Sequence, residues 1–468
     1  MATNTKQSGR LLKIWTPEDQ AFWQREGQAV ATLNLWISAP ALFLAFAIWQ
    51  LFSVIAVQLP QLGFQYTQDQ LFLLTAAPSL TGATLRIFYS FVVPIFGGRR
   101  WTAISTASLL IPAIGIGIAV QNPATPYWMM LTLALLCGFG SGNFSSSMAN
   151  ISFFFPKERK GSALGVNAGL GNLGVSSLQF LAPLVVVIGI FGPLAGAPRV
   201  VTNLNGDTVH FWAQNVAFIW VPFIILFTLA AWFFMNDISD ARASFKEQAV
   251  IFKRKHNWLM CWLYLGTFGS FIGYSAGFPL LIKSQFPHVN ALQYAWLGPF
   301  LGALARPFGG WLADQMGGAR VTFWVFLAMT LTVPGVLYFL PSGASGGSFA
   351  GFLLLFLLLF LASGIGNGST FRMIPVIFMT QHMRQAQGKS AVAQDQAIKA
   401  ANMESAAVIG FTAAMAAYGG FFIPKSFGTS AALTGGPQAA LYAFVVFYIS
   451  CLALTWWCYA RKNAPMPC

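Results

Sequence analysis

The sequence predicts an all-α membrane protein: twelve transmembrane helices in two pseudo-symmetric six-helix bundles. Three observations lead there. The chain of 468 residues is 56% hydrophobic and only 8% charged, a balance that belongs to no soluble class. Apolar stretches long enough to cross about 30 Å of hydrocarbon recur along its whole length. The chain also repeats itself: Gly82-Ala83-Thr84-Leu85-Arg86 through Gly97-Gly98-Arg99-Arg100-Trp101-Thr102 lies over Gly302-Ala303-Leu304-Ala305-Arg306 through Gly317-Gly318-Ala319-Arg320-Val321-Thr322. Each half therefore carries one arginine inside an apolar span.

The spans fall near 34–58, 70–96, 101–121, 126–155, 161–190, 211–236, 257–282, 290–315, 320–340, 349–379, 401–424 and 436–460. An even number puts both chain ends on one side. Of the 26 lysines and arginines, 20 lie in the termini and even-numbered loops, three in the opposite loops (Arg199, Lys283, Lys425) and three within spans (Arg86, Arg306, Arg372). The positive-inside rule then makes both ends cytoplasmic. That bias, with anionic headgroups as its counterpart, accounts for the net charge of +14. No basic cluster with interleaved aromatics lies outside the loops, so nucleic acid is not an expected partner.

Residues 1–33 are mixed polar and lack the short apolar core and cleavage site of a signal peptide, which makes them a cytoplasmic amino-terminal segment. The first bundle covers 34–236. Its second span carries Arg86, and in the loop that follows Ser90 and Pro94 stand where the second half has a glycine and an aspartate. Span 4 holds Gly140-Ser141-Gly142-Asn143-Phe144-Ser145-Ser146. Span 5 holds Gly161, Gly165, Gly169, Gly171 and Gly174, with Gly165 and Gly169 at the spacing by which helices approach closely. Residues 237–256, ending in Lys253-Arg254-Lys255-His256, form the one long charged stretch between spans and read as a cytoplasmic interdomain linker.

The second bundle covers 257–460, leaving 461–468 as a cytoplasmic tail. On span 7, Tyr264 and Phe268 share a helix face at i and i+4. Span 8 carries Arg306 and ends in Gly310-x-x-x-Asp314-x-x-Gly317-x-x-Arg320, and the loop after span 2 reads as a degenerate copy of it. Span 10 repeats the span 4 motif as Gly364-Ile365-Gly366-Asn367-Gly368-Ser369-Thr370. Arg372 follows it, placed to snorkel or to line an inner vestibule. Span 11 supplies Gly419 and Gly420.

A charge in mid-bilayer costs about 2.5–3.5 kcal/mol on insertion scales, so such residues usually face a cavity and a partner. The carboxylates expected in or beside spans, Asp314 and Glu404, lie near cytoplasmic ends, which leaves a dissolved anion as partner for Arg86 and Arg306. The alternative, an arginine bonding helix carbonyls as a packing element, must be invoked twice in symmetry. A planar, weakly hydrated guanidinium suits nitrate, nitrite or a carboxylate, and phosphate is compatible on charge alone. Phe144, Tyr264 and Phe268 offer flat surfaces on which a planar ion stacks. The five cysteines show no metal-ligand spacing, and facing histidines for a haem are missing, so neither a redox cofactor nor any other is expected.

The segments Leu85-Arg86-Ile87-Phe88-Tyr89-Ser90-Phe91, Ser146-Ser147-Met148-Ala149-Asn150-Ile151-Ser152-Phe153-Phe154-Phe155-Pro156-Lys157, Gly169-Leu170-Gly171-Asn172-Leu173-Gly174 and Gly419-Gly420-Phe421-Phe422-Ile423-Pro424-Lys425, with Trp15-Thr16-Pro17-Glu18-Asp19 near the start, resemble those of the bacterial nitrate/nitrite porters of the NarK type, a branch of the major facilitator superfamily. That resemblance implies a multi-pass inner-membrane transporter, monomeric and not an enzyme, with nitrate and nitrite as its ligands. It also implies substrate contacts at Arg86, Arg306, Phe144, Asn172, Tyr264 and Phe268, and nitrate signatures at 161–174 and 416–428, which contain Gly165, Gly169, Gly171, Gly174, Gly419 and Gly420. No mid-span aspartate, glutamate or histidine is available to carry a proton: His210, His256, His288 and His382 sit in loops or at span ends. Exchange is therefore favoured, with proton-coupled symport or exchange of another small anion, a carboxylate or organic phosphate, as the alternatives.

Overall fold

The computed structural model describes residues 10–90, 92–202, 206–239, 249–341 and 347–468. Twelve long helices follow one another: α1 (Gln20–Gln58), α2 (Gln68–Tyr89), α3 (Gly98–Ala119), α4 (Tyr127–Phe154), α5 (Lys157–Val185), α6 (Asn215–Phe234), α7 (Lys255–Gln285), α8 (Leu297–Met316), α9 (Gly318–Phe339), α10 (Phe349–Ala386), α11 (Ala391–Thr434) and α12 (Gln438–Ala460). Ten of them are long and apolar enough to cross a membrane. The other two, α4 and α8, are diluted by the serines and asparagines of 141–150 and by Arg306, Asp314 and Gln315. These two helices carry or contact the arginine sites.

Local chemistry sets the helix limits. Thr67 and Gln70 form a reciprocal capping box at the start of α2, and Ser348 and Ser390 cap α10 and α11. Between α2 and α3, and again between α8 and α9, the chain turns on a glycine with positive φ: Gly97 at 84° and Gly317 at 90°. These are equivalent positions of the duplication, and each needs a residue without Cβ. The helix crossings repeat as well. A Cβ on Gly82 would lie 2.3 Å from Ser141 Cβ on α4, and one on Gly364 of α10 would lie 2.3 Å from Gly302 O on α8. Arg86 and Arg306 each follow the crossing glycine of their own helix by one turn.

The polar segment ahead of the first apolar stretch is not loose. Leu11–Leu12 pairs in parallel with Asp237–Ile238 after α6. Trp15 Nε1 donates to Phe153 O at 3.0 Å, and Lys157 N donates to Glu18 Oε1 at 3.1 Å. Residues 10–19 thus strap the ends of α4, α5 and α6. Residues 240–248 of the expected linker lie outside the described residues. At the same face of the molecule the carboxyl-terminal Cys468 O accepts from Ala319 N of α9.

The first six helices meet the last six mainly toward the face away from the chain ends. There Lys425 Nζ of α11 reaches both carboxylate oxygens of Asp69 at 2.7 and 2.8 Å. Phe72 packs on Phe427 with ring centroids 6.1 Å apart, Phe180 on Trp296 at 5.2 Å, and Gln179 Nε2 donates to Ser275 O at 2.8 Å.

Candidate functional site

Arg86 is fully buried, 0% exposed. Its Nε lies 3.0 Å from both the carbonyl and the hydroxyl oxygen of Ser141, and Nη1 donates to Ala413 O on α11 at 3.0 Å. Nη2 is buried without a hydrogen-bond partner. Four rings surround the guanidinium, with centroids from its Cζ at 4.7 Å (Phe144), 5.1 Å (Trp49), 5.4 Å (Phe268) and 5.9 Å (Phe46). Such faces stabilise the cation without neutralising it. Two of the three guanidinium nitrogens are therefore anchored, and the third, Nη2, is left without a partner inside an aromatic box.

Arg306 is less enclosed. Its Cζ sits 5.5 Å from the Phe371 ring, and its buried Nη1 also lacks a hydrogen-bond partner. Arg86, Arg306 and Tyr264 lie within electrostatic reach of one another. Rings connect the two arginines in series. Phe268 stacks on Tyr264 at 5.5 Å and 17°, and Tyr264 meets Phe371 at 6.4 Å. Tyr264 immediately precedes a wider helical turn, Leu265–Gly269, and Phe268 lies within it, a feature common at functional positions of helices. The fold thus gathers Arg86, Arg306, Phe144, Tyr264 and Phe268 at one centre.

The ion pairs of the described residues lie elsewhere: Asp69 with Lys425, Asp237 with Arg99, Glu404 with Arg254 and His382, Asp314 with Arg372, and Glu26 with Arg25. Asn172 is 1% exposed with its Oδ1 unpartnered; no hydrogen bond joins it to either arginine. Its neighbour Gly171 faces Leu42 and Phe46, the latter a wall of the Arg86 box.

Several expectations need correction. Gly165 and Gly169 are not a packing face: a Cβ on either would meet nothing within 4 Å. The close approach is made by Gly174, where a Cβ would lie 2.1 Å from Phe43 O, and by Gly171 against Leu42 at 2.9 Å. On α11, Gly419 lies against the Gly269 backbone at 2.4 Å and Gly420 against Ser79 Oγ at 2.2 Å by the same measure. Arg372, half exposed, pairs with Asp314 near the end of α8. The degenerate loop after α2 does have a carboxylate, borrowed from the end of α6: Asp237 accepts from Arg99 N at 2.8 Å and from Arg99 Nε at 3.2 Å. The carbonyl-bonding alternative for the arginines is realised in part, at Arg86 alone. Sequence reasoning missed Ser141, Trp49, Phe46 and Phe371 as its walls and anchors; Phe371 carried a signal, four residues beyond Asn367 of the repeated motif.

A helical membrane protein built of two related bundles with its buried cations at the centre has the architecture of one large class of carriers, and the model of the Major Facilitator Superfamily matches residues 38–395. In fold it resembles a D-xylose-proton symporter, with a TM-score of 0.65 and 14% identity over 92% of this chain and 98% of that one. The chain is 53% identical to the nitrate/nitrite transporter NarU of Salmonella typhimurium over 97% of each, and 50% identical to NarU of Escherichia coli over 98% of each. It is 42% identical to the "probable nitrate/nitrite antiporter NarK2" of Thermus thermophilus, over 98% of this chain and 99% of that one. The chain belongs to the major facilitator superfamily and, within it, to the family of these nitrate/nitrite porters.

Proposed function

We propose that this chain exchanges nitrate and nitrite across the bacterial inner membrane by alternating access, with both termini cytoplasmic, as a monomer, and with Arg86 and Arg306 holding the anion. One observation carries this reading. Two arginines from equivalent positions of related bundles meet at the centre, each with a buried guanidinium nitrogen lacking a partner and neither paired with a carboxylate. The names of the relatives point to the same ions. Guanidinium, not ammonium, suits them because its planar fork matches a flat oxyanion edge.

Exchange follows from charge. At an assumed separation of about 7 Å and an effective dielectric of about 20, two unit charges repel by roughly 2.4 kcal/mol. A bound monoanion offsets that repulsion, so the loaded carrier passes through the closed state more readily than the empty one. Counterflow of labelled nitrate in proteoliposomes, with and without a proton gradient, tests this. The expected result is fast exchange against internal nitrite, independent of the gradient. Net uptake at a similar rate into vesicles without an exchangeable anion overturns exchange, and a rate that follows the proton gradient favours symport.

A further inference from the structure

Tyr264 stands between the two arginines, and its hydroxyl is already engaged. Tyr264 Oη donates to Asn367 Oδ1 at 2.7 Å, and both residues are 1% exposed. Asn367 and Phe371 lie one turn apart on α10, and Phe371 covers Arg306. Between them, Gly368 lies so close to α8 that a Cβ there would be 2.2 Å from Arg306 O. The Asn367 amide therefore belongs to the Arg306 corner of the site.

A phenol has a single hydrogen to donate. While that hydrogen is held by Asn367 Oδ1, the tyrosine oxygen offers only lone pairs, which repel an oxyanion. Half a turn about the last torsion of Asn367 exchanges Oδ1 for Nδ2 in nearly the same volume, and that torsion is broad and two-fold. Nδ2–H then donates to Tyr264 Oη and the phenolic hydrogen is released. We infer that Asn367 and Tyr264 form a reversible donor relay: in the empty site tyrosine donates to asparagine, and in the loaded site asparagine donates to tyrosine and tyrosine to the anion. Asn367 acts as a positioning residue, through Tyr264. The relay rests on the anion reading above.

Calorimetric binding of nitrate to the purified protein and its Asn367 and Tyr264 variants tests the relay. Asn367→Asp keeps the shape but can only accept, so it locks the phenolic hydrogen away and adds a negative charge; nitrate binding is expected to weaken by about tenfold or more. Asn367→Ala frees the phenol to donate at all times, and affinity is expected to stay within about threefold of wild type. Tyr264→Phe is expected to weaken binding at least as much in the Asn367→Ala background as in wild type. A packing role predicts that Ala is harmful, and an affinity loss well beyond threefold in Asn367→Ala overturns the relay, as does an Asn367→Asp variant that binds like wild type. So does a Tyr264→Phe change without effect in both backgrounds. Should Asn367→Asp fail to fold, the Ala and Phe variants decide alone. Wild type that does not bind nitrate overturns the anion reading itself, whereas wild-type binding with a flat mutant cycle overturns only the relay.

Discussion

Arg86 is held as a donor by geometry that lysine cannot copy. Nε is fixed by Ser141 and Nη1 by Ala413, so the free Nη2 edge points where the anchors direct it. An ammonium carries all its donors on one atom, so it cannot reach both Ser141 and Ala413 and still place a donor where Nη2 lies. Arg86→Lys and Arg306→Lys are each expected to lower nitrate counterflow by at least about tenfold although the charge is kept, since each loses a charged hydrogen bond to the ligand. Near-normal counterflow in both variants counts against the site. Both arginines were legible in the sequence, because a buried charge without a neighbouring acid is conspicuous. The Arg86 anchors were not: Ser141 bonds through its carbonyl as well as its hydroxyl, and Ala413 through its carbonyl alone, a group every residue carries.

Among the helices, the glycines separate into those that seat a neighbour and those that leave room. At Gly174 the obstacle to a side chain is the Phe43 carbonyl, which cannot swing aside, so α1 and α5 would have to part. Gly174→Ala is expected to lower the melting temperature and the yield of monodisperse protein, while Gly165→Ala is expected to fold like wild type. Equal thermal stability of the two variants contradicts this division. Spacing in the sequence suggested the opposite pair, because it shows which residues share a stripe and not which stripe faces a neighbour. The helices themselves were readable from apolar length. The extension of α1 back to Gln20 was not, since its polar first turns fold against the strap and the ends of α4 and α5.

For the whole molecule, the duplication and the twelve helices were legible, and the contacts between the halves were not. Asp69 and Lys425 are separated by 356 residues, and no periodicity links them. Each side chain is about one-third exposed, 34% and 32%, so the pair contributes up to about 1 kcal/mol. Asp69→Asn is expected to loosen the face away from the termini, and a Ser79→Cys reporter beside Gly420 should then react faster with a membrane-impermeant thiol reagent. Unchanged reactivity means that the remaining contacts keep that face shut without the ion pair. Four of the five native cysteines are buried, which keeps their background low.

The two chain ends are moored at one face but to different sets of helices: the strap from Leu11 is tied to the strand after α6 and to α4 and α5, and Cys468 to the first turn of α9. A donor dye fused upstream of the strap and an acceptor fused after Cys468 would therefore form a ruler laid across the seam between the two sets of helices, and the alternating access proposed above would be read as a change in transfer with no label inserted in the helices.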